Sequence, residues 1–294
     1  MEQASNSTDV RSIQNRTIWL LWTQGFENAP EVVKLCLDSW KQHNPGWDIR
    51  ALDLAELNRL IDLSHLTDVG RPDITPQVHS NLTRLCLLRR YGGVWADATV
   101  FCREPLDNWL EPYVKTGFFV FRNPGRDRLM ATWFMAANPD NEILVKLHRD
   151  YVGLWENNRF LSPRSNLTRF SRRAFSRLFS RNPKRTAGWF GFPRTALKIF
   201  PHFIFHYTFN KLVFTDPDVA HRWSAALPFE ASQPRRLTKL AKEPTGIATA
   251  IDLIDNGSSP LYKLNWRIDI DASYWKAVLS HLRATLKHET TARL

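Results

Sequence analysis

Cysteine is scarce. Cys36, Cys86 and Cys102 are the only three in 294 residues. Their odd number and wide spacing exclude a disulfide framework and a zinc-finger-type metal site. They read as buried thiols of a reducing compartment. No apolar run approaches the roughly 20 residues that a spanning helix requires. Residues 1–13 are polar and lack the apolar core of a secretory signal, and they are expected to be disordered. Glycine motifs are missing too. There is no Gly-x-Gly-x-x-Gly, no P-loop, no Gly-x-Ser-x-Gly and no His-Glu-x-x-His, so dehydrogenase, P-loop kinase, serine hydrolase and zincin readings have no support. Glycosylation sequons occur at Asn6, Asn15, Asn81, Asn166 and Asn256. Asn81 falls inside an expected helix, where a glycan would be disruptive. The expected location is therefore cytoplasmic.

One absence is local. Residues 159–200 hold nine Arg and two Lys and no Asp or Glu, which accounts for the whole net charge of +11. The rest of the chain is electrostatically balanced. Within the segment, Leu167, Phe170, Ala174, Leu178 and Phe179 recur at near-helical spacing among the arginines. An apolar stripe opposed by Arg is the pattern of a helix lying in a membrane interface. This basic amphipathic insertion is expected to bring the protein peripherally to an anionic membrane. The same composition would also suit single-stranded nucleic acid. No recognition-module motif accompanies it, so no nucleic-acid partner is expected.

What is present elsewhere reads as α/β. Residues 18–22 form a short strand, apolar on both faces and so central in a parallel sheet. A helix starts at Asn28-Ala29-Pro30-Glu31 and stops near Asn44-Pro45-Gly46. A second strand covers residues 47–52, and Asp53 with Glu56 forms a capping box for the next helix. Thr75 and Pro76 open a longer helix, as N-cap and first helical residue. Gly92 ends it. A short apolar strand, Val94-Trp95-Ala96, then delivers Asp97 to its far end, where open α/β sheets place ligands. Residues 117–121 read as another strand and residues 140–155 as an amphipathic helix. Residues 203–209 alternate apolar and polar side chains and carry His206. Residues 235–245 read as a surface loop. A C-terminal helix is expected over residues 274–287.

Ile18-Trp19-Leu20-Leu21-Trp22-Thr23-Gln24-Gly25, Ser80 to Arg84, and above all Tyr91-Gly92-Gly93-Val94-Trp95-Ala96-Asp97-Ala98-Thr99 together resemble the capsular polysaccharide synthesis type of sugar-nucleotide glycosyltransferase. That type sits in the wider DXD-containing group. Residues 203–207 and Lys263-Leu264 are weaker signatures of the same kind. The resemblance implies a GT-A-like, Rossmann-type fold over residues 14–294: a mixed, mostly parallel sheet flanked by helices in one domain, carrying the insertion at 159–200. It implies transfer of a sugar, with retention, from a UDP- or GDP-sugar donor to a glycan or lipid-linked acceptor.

Carried onto this sequence, the resemblance makes Asp97 and Arg84 the catalytic pair. Trp22, Asn81, Gly92, Gly93, Asp97 and Thr99 would bind the donor. His206 and Lys263 are candidates on the acceptor side. Asp97 would ligate a divalent cation, Mn²⁺ or Mg²⁺. Asn81 stands where the related pattern usually has an acid, and Thr99 where the wider DXD group has its second one, although Asp-Ala-Thr is the normal form of the capsular subgroup. That substitution grounds the rival reading, a sugar-nucleotide-fold protein that binds without turnover.

Overall fold

The computed structural model describes residues 13–67 and 71–292. Most of the segment expected to be disordered, residues 1–12, lies outside them. A five-stranded sheet has the order β2-β1-β3-β6-β5. Its strands are β1 (Thr17–Leu21), β2 (Asp48–Leu52), β3 (Gly93–Ala96), β5 (Phe118–Gly125) and β6 (Arg128–Ala137). β1 runs parallel to both β2 and β3, while β6 runs antiparallel to β3 and to β5. Four strands therefore share one direction, and β6 alone opposes them. Two further strands, β4 (Val100–Cys102) and β7 (Leu261–Lys263), form a separate antiparallel pair.

The apolar character of β1 on both faces follows from its place between two strands. Ile18 and Leu20 pack on one side with Leu37 and Trp40 of the helix Glu31–His43. Trp19 packs on the other with Leu82, Leu85 and Leu88 of the motif helix Pro76–Tyr91. The chain leaves β1 on one side to reach β2 and returns across it to reach β3. That reversal makes the carboxyl ends of β1 and β3 the natural crevice of the sheet.

Local signals explain the helix boundaries. Asp53 and Glu56 form the reciprocal capping box, with bonds of 2.7 and 3.0 Å. Thr75 caps the motif helix by accepting the Val78 N–H at 3.3 Å. Gly92 and Gly93 adopt φ of +71° and +93°, a region costly for any residue with a Cβ.

Three features depart from the sequence reading. β6 was not expected at all. Residues 203–209 fall in a helix, Ile204–Thr215, rather than in extended chain. Residues 235–245 are not a plain surface loop: they contain the helix Arg236–Leu240, and Leu237 and Leu240 are buried in the core around Tyr262. The basic segment does form the expected helix, Asn166–Phe179, with Ser165 as N-cap.

Candidate functional site

The register Trp19 to Trp95 between β1 and β3, carried two residues on, sets Leu21 level with Asp97, and Trp22 packs against the cluster that holds Ala98. Trp22 and Asp97 thus stand at the mouth of one crevice. Asp97 is held firmly. Its backbone N–H donates to Trp133 O at 2.8 Å, and its Oδ1 accepts from Trp95 Nε1 at 3.0 Å. Arg84 Nη2 lies 3.2 Å from the same oxygen. Among the described residues, Oδ2 has no protein partner.

Arg84 is buried because the motif helix faces the sheet. Its Nε donates to Ser80 O at 3.2 Å, its Nη2 to Ser80 Oγ at 2.9 Å, and its Nη1 to Thr132 O on β6. The guanidinium also lies over the Trp95 ring, 5.1 Å from its centroid. Most of its donors are spent on the protein. Arg84 therefore locks Asp97 to the helix and to β6, and keeps little capacity to grip a ligand directly.

Asn81 sits one turn earlier, buried, with Nδ2 3.4 Å from Tyr151 Oη. The enclosed position leaves no room for a glycan. Thr99 and Lys263 meet through the β4–β7 pair. Leu264 N donates to Thr99 O at 2.8 Å, and Lys263 Nζ donates to Thr99 Oγ1 and, at 2.9 Å, to Leu264 O. Burial lowers the Lys263 pKa, and Arg235 and Arg84 push the same way; the nearby Asp97 carboxylate opposes them.

His206 is buried, and its Nδ1 has no hydrogen-bond partner among the described residues. Burial, then Arg128, Arg84 and His202, push its pKa well below the ordinary 6.5. It is a neutral imidazole at physiological pH. These couplings put His206 in the electrostatic neighbourhood of Arg84.

Gly92 and Gly93, expected on the donor side, do not border Asp97. They lie at the opposite end of β3 from Asp97, by strand rise roughly 13 Å away for Gly93 and roughly 16 Å for Gly92. A Cβ on Gly93 would meet Thr17 O at 2.5 Å, and one on Gly92 would meet Pro139 Cδ at 2.7 Å. Their job is close packing of β3 against β1 and the chain after β6.

Sequence reasoning missed two contributors. Trp266 stands edge-on to Trp22, with centroids 5.9 Å apart and planes at 79°. As a lone aromatic in a short loop it gives no periodic signal. Thr132 anchors Arg84 from a strand the sequence did not reveal.

The donor set does not suit a resident divalent cation. The described residues contain no group of three or more His, Cys, Asp or Glu placed to hold a metal. Asp97 serves Arg84 and Trp95 through Oδ1, which leaves Oδ2 as its one carboxylate oxygen for an ion. The other candidate oxygen, Thr99 Oγ1, receives the Lys263 ammonium.

A second feature lies in the basic segment. A cleft of about 360 Å³ is lined by Arg169, Arg172, Arg173, Ser176, Arg177 and His202. None of these arginines has a carboxylate partner among the described residues. Beside them, Phe170 is 73% and Leu178 53% exposed. Phe175 and Phe179 instead turn inward onto Trp189. Of the stripe read from the sequence, the Leu167 side chain lies outside the described residues.

A switch-point crevice in a mixed α/β sheet, with an aromatic and a tethered acid at its mouth, is where Rossmann-type sheets place their ligands. The chain belongs to the capsular polysaccharide synthesis protein family, whose sequence model matches residues 1–162. It is 32% identical to "Glycosyltransferase afumC" of Aspergillus fumigatus (strain CBS 144.89 / FGSC A1163 / CEA10), over 50% of this chain and 42% of that protein. It is 26% identical to "O-glycosyltransferase braB" of Annulohypoxylon truncatum, over 48% of this chain and 38% of that protein. The match thus spans less than half the length of either relative. Among solved structures, "PaToxG Glycosyltransferase" covers 61% of this chain and 70% of its own at 16% identity. Its TM-score of 0.34 is too low to carry an argument.

Proposed function

We propose that this protein is a glycosyltransferase that moves a sugar from a nucleotide-sugar donor to a glycan or lipid-linked acceptor. The observation that carries the reading is Asp97, fixed at the end of β3 by Arg84 and Trp95 and facing a crevice shared with Trp22. Fixed polar groups at a switch point suit a nucleotide, with a carboxylate for hydroxyl groups and an aromatic face for the base. Family membership and two relatives named as glycosyltransferases support the same chemistry.

Departure of a nucleoside diphosphate builds negative charge, which pre-placed cationic groups stabilise. His206, held neutral by burial and the nearby arginines, adds no charge to the site. Retention of configuration, as the resemblance implies, belongs to this proposal and is read from the anomer of the product by NMR. A thermal-shift panel of UDP- and GDP-sugars tests the donor class, since a ligand bound only by the folded state raises its apparent stability. A donor should raise the Tm of wild type and not of Asp97→Ala. A donor that binds but is never turned over would favour the non-catalytic reading instead.

The peripheral-membrane part of the proposal rests on the helix Asn166–Phe179. Phe170, Ala174 and Leu178 form one exposed ridge at i, i+4, i+8, and Arg169, Arg173 and Arg177 form the ridge beside it. Apolar groups flanked by cations suit an anionic bilayer surface, where each basic side chain contributes about 1 kcal/mol. No helix among the described residues is long and apolar enough to cross a membrane. Co-sedimentation should occur with vesicles containing phosphatidylserine and be lost in the pair Phe170→Ser and Leu178→Ser. Equal binding to neutral vesicles contradicts the charge argument.

A further inference from the structure

We infer that Lys263 carries the positive charge that stabilises the departing diphosphate, in the place of a divalent cation. The inference rests on the proposed reaction and names the group that serves its leaving group. The resemblance puts a cation at Asp97; this chain sets an ammonium on Thr99, two residues further on.

The placement is built by the backbone. Pairing of β4 with β7 sets Lys263 opposite Val100, and the Leu264 N–H to Thr99 O bond extends that register by one residue. Lys263 Nζ then reaches Thr99 Oγ1 and folds back on Leu264 O. Two of its three N–H groups are used, both by neutral acceptors, and the remaining one is available to a ligand. The Asp97 carboxylate acts on it electrostatically and is shared with Arg84.

Thr99 gives this arrangement its sense. An acid at position 99 would pair with Lys263 and cancel its charge. A hydroxyl orients the ammonium and leaves the charge unspent. Arg84 and Lys263 against Asp97 leave the site with a net positive charge before a donor enters. A diphosphate is a natural counter-ion for that excess, whereas a divalent cation would be repelled by the ammonium at Thr99. Since Arg84 spends its donors on Ser80, Thr132 and Asp97, Lys263 is the cation free to bond a phosphate oxygen.

In the step, the acceptor oxygen forms a bond to the anomeric carbon and the bond from that carbon to the diphosphate oxygen breaks. The electron pair goes to the diphosphate, and the acceptor's hydroxyl proton passes to the departing phosphate oxygen. Lys263 keeps its proton throughout and acts by charge and hydrogen bonding.

Titration calorimetry with UDP and with GDP, each in EDTA and in Mn²⁺, tests this. Wild type is expected to bind one of them in EDTA with a Kd within about threefold of that in Mn²⁺. Lys263→Met should weaken binding at least tenfold, and Lys263→Arg should keep most of it. Circular dichroism melts identify a Lys263→Met protein that has not folded. Thr99→Asp supplies a second reading: with Lys263 neutralised and a second carboxylate present, binding should become Mn²⁺-dependent. Wild-type binding that requires Mn²⁺, or unchanged binding by folded Lys263→Met, overturns the inference and leaves the glycosyltransferase reading standing. Failure of wild type to bind either nucleotide in either buffer overturns both.

Discussion

Arg84 Nη2 lies 3.2 Å from Asp97 Oδ1, and the two residues come from different layers, the motif helix and the end of β3. This ion pair ties the sequence motif together. Residues 84 and 97 are separated by the end of a helix, a two-glycine reversal and a buried strand. The left-handed conformations of Gly92 and Gly93 turn the chain back so that the strand's last residue meets the helix's arginine.

Replacing Arg84 should therefore affect order as well as rate. Arg84→Met removes the side-chain donors to Thr132 O and Ser80 Oγ and leaves Asp97 without its cation. The expected loss is about 2–3 kcal/mol, seen as a fall in denaturant midpoint with an unchanged slope. Arg84→Lys keeps the charge but not the planar fork, and turnover should fall roughly 10²-fold. An Arg84→Lys protein with wild-type rate would show that geometry at this pair is unimportant.

The Trp22–Trp266 pair predicts where the base sits. Stacking on an aromatic ring is worth about 1–3 kcal/mol per base. Trp266→Ala should weaken nucleotide binding by tenfold or more, and nucleotide binding should quench tryptophan fluorescence in wild type more than in the variant. Identical quenching in both places the base elsewhere.

A buried ion pair anchors the entry to the motif helix. Arg71 grips Asp73 with two bonds of 2.9 and 3.0 Å, and Phe160 N donates to Asp73 at 3.0 Å. Burial pushes the Asp73 pKa up, but the Arg71 and Phe160 hydrogen bonds outweigh it and the net shift is downward. Asp73→Ala strands Arg71 in a buried site and should cost about 3–5 kcal/mol. Chemical denaturation measures it. A loss under 1 kcal/mol would mean that the pair is dispensable.

Stability should fall in mild acid. Burial lowers the pKa of His79, His148, His202 and His206. A histidine depressed in the folded state gives stability that is present above its unfolded value, about 6.5, and is lost as pH falls through the folded value. Each such group contributes up to about 1.4 kcal/mol per pH unit in that window. Melting curves between pH 8 and 5 should drop below pH 6.5, and His206→Leu should flatten the drop. An unchanged slope in that variant would place the acid sensitivity in the other three.

The parts of the molecule legible in the sequence are those whose causes are local. Thr75-Pro76, the Asp53–Glu56 box and the unbroken apolar run Ile18-Trp19-Leu20 are set by neighbours in the chain, and each appears within a residue of its expected place. β6 was not legible because Leu129-Met130-Ala131 and Met135-Ala136-Ala137 are good helix formers, buried on both faces, with no alternation to reveal a strand. The helix Ile204–Thr215 is rich in β-formers, and contacts with Tyr151, Trp189 and Trp223 override that preference. At the site, Asp97, Arg84 and Trp22 could be named from the motif. The partnership of Thr99 with Lys263 spans 164 residues and required the β4–β7 pairing to be seen.

The central claim is most directly tested by the release of free nucleotide from a donor panel by wild type and Asp97→Asn, each with its acceptor mixture. Asp97→Asn keeps the size and the Trp95 contact but not the charge that Arg84 meets. Wild type should release nucleotide from one UDP- or GDP-sugar, and Asp97→Asn should do so at least 10²-fold more slowly. Equal release by the two proteins would contradict the assignment of Asp97 as the centre of a sugar-transfer site.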